Sequence, residues 1–117
     1  MLKFYKCNEC GKVLILNEEV KKCNWTELVA GEVEASVEKH KPVVKVNGRE
    51  VEVCVGSVTH PMSEEHHIAW VAMETKKGYQ VRYLCHTCEP IVKMTVAEGD
   101  ELVAVYAYCN LHGVWKA

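Results

Sequence analysis

The sequence has no long apolar run, no block of like charge, no internal repeat and almost no helical period. Each absence removes a class of protein. No window approaches the ~20 consecutive apolar residues that a membrane-spanning helix needs. The opening stretch Met1-Leu2-Lys3-Phe4-Tyr5-Lys6-Cys7 lacks the apolar centre of a secretory leader, so a cytoplasmic location is expected. A formal net charge of -2 over 117 residues, with acidic and basic side chains interspersed, gives no electrostatic footprint for nucleic acid or an anionic membrane. This length suits one compact domain with at most a small appended module.

Cysteine, by contrast, is abundant. Seven is also an odd number, which fits a fully paired secreted disulfide framework poorly and metal ligation well. Cys7/Cys10 and Cys85/Cys88 form Cys-x-x-Cys pairs, while Cys23, Cys54 and Cys109 stand alone. Residues 1–30 read as a short cysteine-containing segment, because Cys7-Asn8-Glu9-Cys10-Gly11 has the form of a metal knuckle, with Val13 to Leu16 as a short strand behind it. So short a segment has little core of its own. It must be held by metal, by packing on the main domain or by a second subunit.

Residues 31–117 carry strand signals. Glu27 to Val37 reads as a linker. Pro42 then forces Lys41 into extended backbone. Val44 and Val46 lead to Asn47-Gly48, and Val51, Val53 and Val55 alternate on the way back, the pattern of a tight hairpin with Cys54 on the opposite face. His66 to Thr75 is apolar on both faces, Ile68, Trp70 and Ala72 against Ala69, Val71 and Met73, as expected of a central strand. Tyr79 to Leu84, Ile91 to Ala97 and Glu101 to Cys109 complete the set, with Val103, Val105, Ala107 and Cys109 on one face of the last. The expected fold is all-β, an antiparallel β-sandwich with a small N-terminal knuckle segment.

Potential metal ligands fall at loops and strand ends. Cys109 and His112, three apart where a strand meets Gly113, can turn onto one ion. His40, His60 and His66 are the natural additional ligands, with His67 and His86 in reserve. Period two requires His66 and His67 to point to opposite faces once the strand has begun, so only one of them can join the group.

Three stretches together resemble the superoxide reductase family, the desulfoferrodoxins and neelaredoxins. They are Glu38-Lys39-His40-x-Pro42, then Gly56-Ser57-Val58-x-His60-Pro61-Met62-x-x-x-His66-x-Ile68-x-Trp70, then Tyr108-Cys109-Asn110-Leu111-His112-Gly113-x-Trp115-Lys116. The resemblance implies an immunoglobulin-like sandwich holding a non-haem iron between four equatorial histidines, His40, His60, His66 and His112, and the axial thiolate of Cys109. It further implies reduction of superoxide to hydrogen peroxide without oxygen release. The iron would be re-reduced by a rubredoxin-like or other small electron carrier, and a homo-oligomer, dimer or tetramer, is expected. Lys39 would steer the anionic substrate, and Glu38 would correspond to the glutamate that occupies the sixth iron position in the ferric state. Asn110, Leu111 and Gly113 would place amides near the Cys109 sulfur.

The N-terminal segment departs from the family. Many relatives carry a Cys-x-x-Cys and a later adjacent Cys-Cys that bind a second iron, whereas here Cys23 is followed by Asn24. Two Cys-x-x-Cys pairs suggest instead that Cys7, Cys10, Cys85 and Cys88 hold a second zinc or iron ion. The alternatives are a Cys7/Cys10/Cys23 site completed by another ligand, a redox disulfide at Cys85/Cys88, and a module without metal. Two rival functions remain at this level, an iron electron-transfer protein without superoxide chemistry and a zinc-knuckle binding module on the same fold.

Overall fold

The computed structural model of the chain describes residues 1–20, 24–31, 40–56 and 60–117. Cys23, Glu38 and Lys39 lie outside the described residues, as do Ser57 and Val58 of the second motif. Ten strands are seen among the described residues: β1 (Lys3–Cys7), β2 (Val13–Leu16), β3 (Trp25–Leu28), β4 (Pro42–Asn47), β5 (Glu50–Val55), β6 (Ile68–Thr75), β7 (Gly78–Tyr83), β8 (Ile91–Thr95), β9 (Leu102–Cys109) and β10 (Gly113–Lys116). They form three antiparallel sheets, ordered β2-β1-β3, β10-β9-β6-β7 and β4-β5-β8.

Hydrophobic patterning stacks these sheets in three layers. Every second residue of β5 (Val51, Val53, Val55) and of β8 (Val92, Met94) points inward against Val71 and Met73 of β6 and Val105, Ala107 and Cys109 of β9. The other face of the middle sheet, with Trp70, Ala72, Tyr106 and Val114, is covered by Leu2 and Phe4 of the N-terminal sheet, flanked by Val13, Ile15 and Leu28. This is why β6 is apolar on both faces. It also answers how the short N-terminal segment is held: it packs on the sandwich. Phe4 stacks on Trp70 with ring centroids 5.7 Å apart and meets Tyr106 edge-on at 4.9 Å. Glu74 Oε1 ties the two layers together, accepting from the Leu2 amide at 3.2 Å and the Tyr106 hydroxyl at 3.1 Å.

Several details differ from the sequence pattern. The first hairpin pairs Asn47 with Glu50, so its turn is Gly48-Arg49, one residue later than Asn47-Gly48, with Gly48 at φ 62°. The pairing of Val46 with Val51 and of Val44 with Val53 sets this register. Ile68 shares its face with Val71 and Met73 instead of Trp70, because the β6–β9 register shifts between Ile68 and Trp70. A second shift, between Glu74 and Thr75, turns Val103 outward and brings Leu102 to the core. Glu27 and Leu28 belong to β3, not to a linker, because β3 fills the free edge of β1.

Phe4→Ala should lower stability by about 3 kcal/mol, the usual cost of removing a buried aromatic ring, as measured by urea unfolding. Loosening of the outer sheet should also expose Trp70, red-shifting its fluorescence.

Candidate metal centre

The centre forms where β6 and β9 end side by side, Ile68 lying opposite Cys109 in the ladder. Cys109 continues the inward row of Val105 and Ala107 and is completely buried. The chain then reverses through Asn110, Leu111 and His112, and Gly113 at φ 82° allows β10 to return along β9 with Gly113 opposite Cys109. This tight return sets the Cys109 sulfur 3.6 Å from His112 Nδ1. Burial pushes the Cys109 thiol up from its ordinary range, while hydrogen bonds from the Leu111 and His112 amides pull it down. Amides do face the sulfur, then, but from Leu111 and His112. Asn110 has another task.

His40 enters just ahead of β4, and its Nε2 lies 2.9 Å from His112 Nδ1. Its ring stacks on Trp115 at 4.8 Å and 16° between planes, and the Trp115 Nε1–H donates to the His112 carbonyl at 3.2 Å. Trp115 thus orients both histidines. Gly31 permits this packing: it bridges β10 through Val114 and Lys116, and a Cβ there would sit 3.1 Å from the Trp115 ring.

His60 is 1 % exposed. Its Nδ1–H donates to the Pro61 carbonyl at 2.7 Å, which directs the Nε2 lone pair into the cluster. Among the described residues Nε2 finds no hydrogen-bond partner. Burial, then the neighbouring His40, His66 and His112, pull its pKa down to about 4, so the ring is neutral at ordinary pH.

His66 is placed by a compact loop. Ser63 N donates to the His66 carbonyl at 2.9 Å, and Ser63 Oγ accepts from the His66 amide at 3.2 Å. Asn110 clamps this loop to the end of β9: Oδ1 accepts from the His67 amide at 2.9 Å, Nδ2 donates to the Glu65 carbonyl at 2.9 Å, and its own amide donates to the His67 carbonyl at 3.1 Å. The His66 ring consequently lies 4.7 Å from that of His60 and 5.0 Å from that of His112. His67 faces away, its Nδ1–H donating to the Ser63 carbonyl and its ring 6.2 Å from that of His86.

One ligand atom from each of His40, His66, Cys109 and His112 lies within 4.8 Å of all the others, and His60 joins through ring contacts with His40 and His66. All five residues singled out in the sequence therefore converge, and His67 and His86 stay outside. A buried imidazole nitrogen without a partner costs about 1–3 kcal/mol. That cost is offset if a cation sits at the centre. A thiolate with neutral imidazoles suits a transition metal and not calcium or magnesium, which take oxygen ligands; more than four donors exceed a structural zinc set. The residues present fit iron. Ser63, the Pro61 carbonyl and the clamp role of Asn110 were not recognised in the sequence. Only Ser63, three residues ahead of His66, leaves a local signal, that of a serine turn.

The expected site of Cys7, Cys10, Cys85 and Cys88 is not assembled. Cys85 and Cys88 are joined to each other in a disulfide and offer no thiolate, so of the alternatives weighed for this pair the disulfide is the one present. Cys7 and Cys10 are free and form the expected knuckle turn, with the Cys10 amide 3.3 Å from the Cys7 sulfur, Gly11 at φ 74° and the Cys7 thiol pulled down chiefly by that amide.

A family profile described as Desulfoferrodoxin matches residues 32–117. A desulfoferrodoxin of Clostridium acetobutylicum is 39% identical over 92 residues, 78% of this chain and 70% of that protein. A desulfoferrodoxin homolog of Archaeoglobus fulgidus is 33% identical over 127 residues, covering 100% of this chain and 97% of its own length. Among solved structures, the superoxide reductase from Treponema pallidum superposes with a TM-score of 0.84 at 36% identity, covering 100% of this chain and 98% of the other. With these matches added to the three motifs and the converged histidine and cysteine side chains, the chain belongs to the desulfoferrodoxin family, which takes in the superoxide reductases.

Proposed function

We propose that the chain is a superoxide reductase whose iron is held by His40, His60, His66, His112 and Cys109. The observation that carries this reading is the convergence of four donor atoms within 4.8 Å, beside a buried His60 Nε2 that has no hydrogen-bond partner among the described residues. Each turnover would take one superoxide, one electron and two protons to one hydrogen peroxide, with no oxygen released. Iron bound there would supply the one-electron couple.

The chain's own groups divide the remaining work. Cys109, buried at the floor, would give its thiolate to the metal, stabilised by the Leu111 and His112 amides. Trp115 and the Pro61 carbonyl fix ring orientations, which pre-organises the imidazoles, and burial keeps His60 neutral. His112 is the exposed member of the group, so solvent, protons and a small anion would approach on its side. Lys39, next to His40 in sequence, would draw the anion and hold a proton-donating water. Glu38 would compete for the same position in the oxidised resting state. The outside electron would come from a rubredoxin-like or other small carrier.

Rapid mixing of the reduced iron protein with superoxide should oxidise the centre in step with peroxide formation. A centre that stays reduced would leave only electron transfer, and the proposal would fail. Cys109→Ala and His112→Ala should each slow the reaction at least about 100-fold, given that even outer partners of metal ligands are worth 10–100-fold.

Lys39→Ala should slow encounter roughly 10-fold at low salt, and less at 0.15 M, where the Debye length falls to about 8 Å. Stopped-flow rates across a salt series read this directly. Asn110→Ala should leave the sandwich folded by circular dichroism. It should weaken cobalt or iron binding by about 10-fold, measured by competition with a chelator, because the His66 loop loses its clamp.

A further inference from the structure

We propose that Cys85 and Cys88 are a second redox site, a dithiol–disulfide couple that an external dithiol protein reduces and that feeds electrons to superoxide reduction. The pair sits in the loop Leu84–Pro90, between β7 of one sheet and β8 of the other, and both cysteines are exposed to an incoming thiolate.

A purely structural role is a poor explanation for this bond. It closes a loop of sequence separation 3, and cross-links across so few residues restrict the unfolded chain least. The loop is anchored without it. The Leu84 amide donates to the Ala69 carbonyl at 2.9 Å, the Val55 amide donates to the Pro90 carbonyl at 2.9 Å, and Pro90 is buried. Two-residue spacing and exposure are instead what thiol–disulfide exchange requires.

The loop also reaches the residue that follows His66. His86, between the two cysteines, has its ring 6.2 Å from that of His67. The His67 backbone is bonded in both directions to Asn110, the residue after Cys109. The chain of contacts from His86 to His67 and from His67 to Asn110 therefore runs from the sulfur pair's loop to the residue after Cys109.

In the first step the external dithiol attacks one sulfur, the Cys85–Cys88 bond breaks through a mixed disulfide, and the second external thiol releases the reduced pair. The external protein leaves as its disulfide. In the second, the dithiol gives up two electrons and two protons and the Cys85–Cys88 bond re-forms. With two further protons from solvent, two superoxide ions become two hydrogen peroxide molecules. This electron supply rests on the superoxide reductase reading, whereas the exchange step does not.

The test uses the full iron-loaded chain with thioredoxin, thioredoxin reductase and NADPH as the probe. One NADPH should be consumed per chain, and alkylation with peptide mass analysis should gain label at Cys85 and Cys88 only. In the Cys85→Ser/Cys88→Ser variant NADPH should not be consumed. After removal of the reductase system, superoxide pulses should re-form one disulfide per two superoxide ions. A pair that thioredoxin leaves oxidised overturns the proposal and leaves the superoxide reductase reading intact. So does a reduced pair that stays reduced while superoxide is consumed with an artificial donor. Failure of the protein to consume superoxide with any donor overturns the parent reading, and the electron-supply role with it.

Discussion

Because Ile68 lies opposite Cys109, the two most deeply buried strands, β6 and β9, end at the same level, and every part of the metal centre is referred to that point. Cys109 is delivered by β9 itself, His112 by the return into β10, and His66 by the loop that enters β6. His40 and His60 come from the β4 side of the sandwich. A one-residue slip between β6 and β9 would turn Cys109 out of the core and move the His66 loop away from it. The pairing is protected from such a slip because side chains from both flanking sheets interlock with β6 and the strands beside it.

The polar interior at this end is organised by subtraction. Two of the imidazoles have a nitrogen or a ring face committed elsewhere, to the Pro61 carbonyl for His60 and to the Trp115 ring for His40. What remains points inward. Burial and mutual repulsion keep His60 neutral, the protonation state a metal ligand needs. The same crowding would destabilise the site if it were left as bare protein. The sandwich supplies rigidity, and a cation at the centre would give the buried His60 Nε2 a partner.

Much of this was legible in the order of residues. The valines of β5, the two-sided apolar run of β6 and the turn glycines mark the sandwich by period alone. The three motifs carry all five residues that converge, whereas strand parity does not reach His66 and His67, because β6 begins at Ile68 and the Ser63 loop sets both residues. Two errors share a cause. Alternation alone puts Ile68 and Val103 on the wrong faces because bulges interrupt it, and a bulge leaves no mark in a hydrophobic pattern. β1, β3 and β10 carry little strand signal because they are short and form only by pairing with a longer or neighbouring strand.

The sequence by itself determined the strand periodicity and the spacing of Cys109 and His112, since these follow from side-chain chemistry and near-neighbour geometry, and its three motifs carry the five residues that converge. Only the tertiary structure decided which cysteines meet. Cys7 and Cys10 share a motif with Cys85 and Cys88, but the first pair closes a knuckle in the outer sheet and the second closes on itself between the two sheets of the sandwich. Motif spacing fixes what a segment can bind, and long-range packing fixes what comes within reach of it. The clamp of Asn110 on the His66 loop belongs to the same category, because its side-chain amide meets backbone groups 43 to 45 positions away that every residue carries and no motif marks.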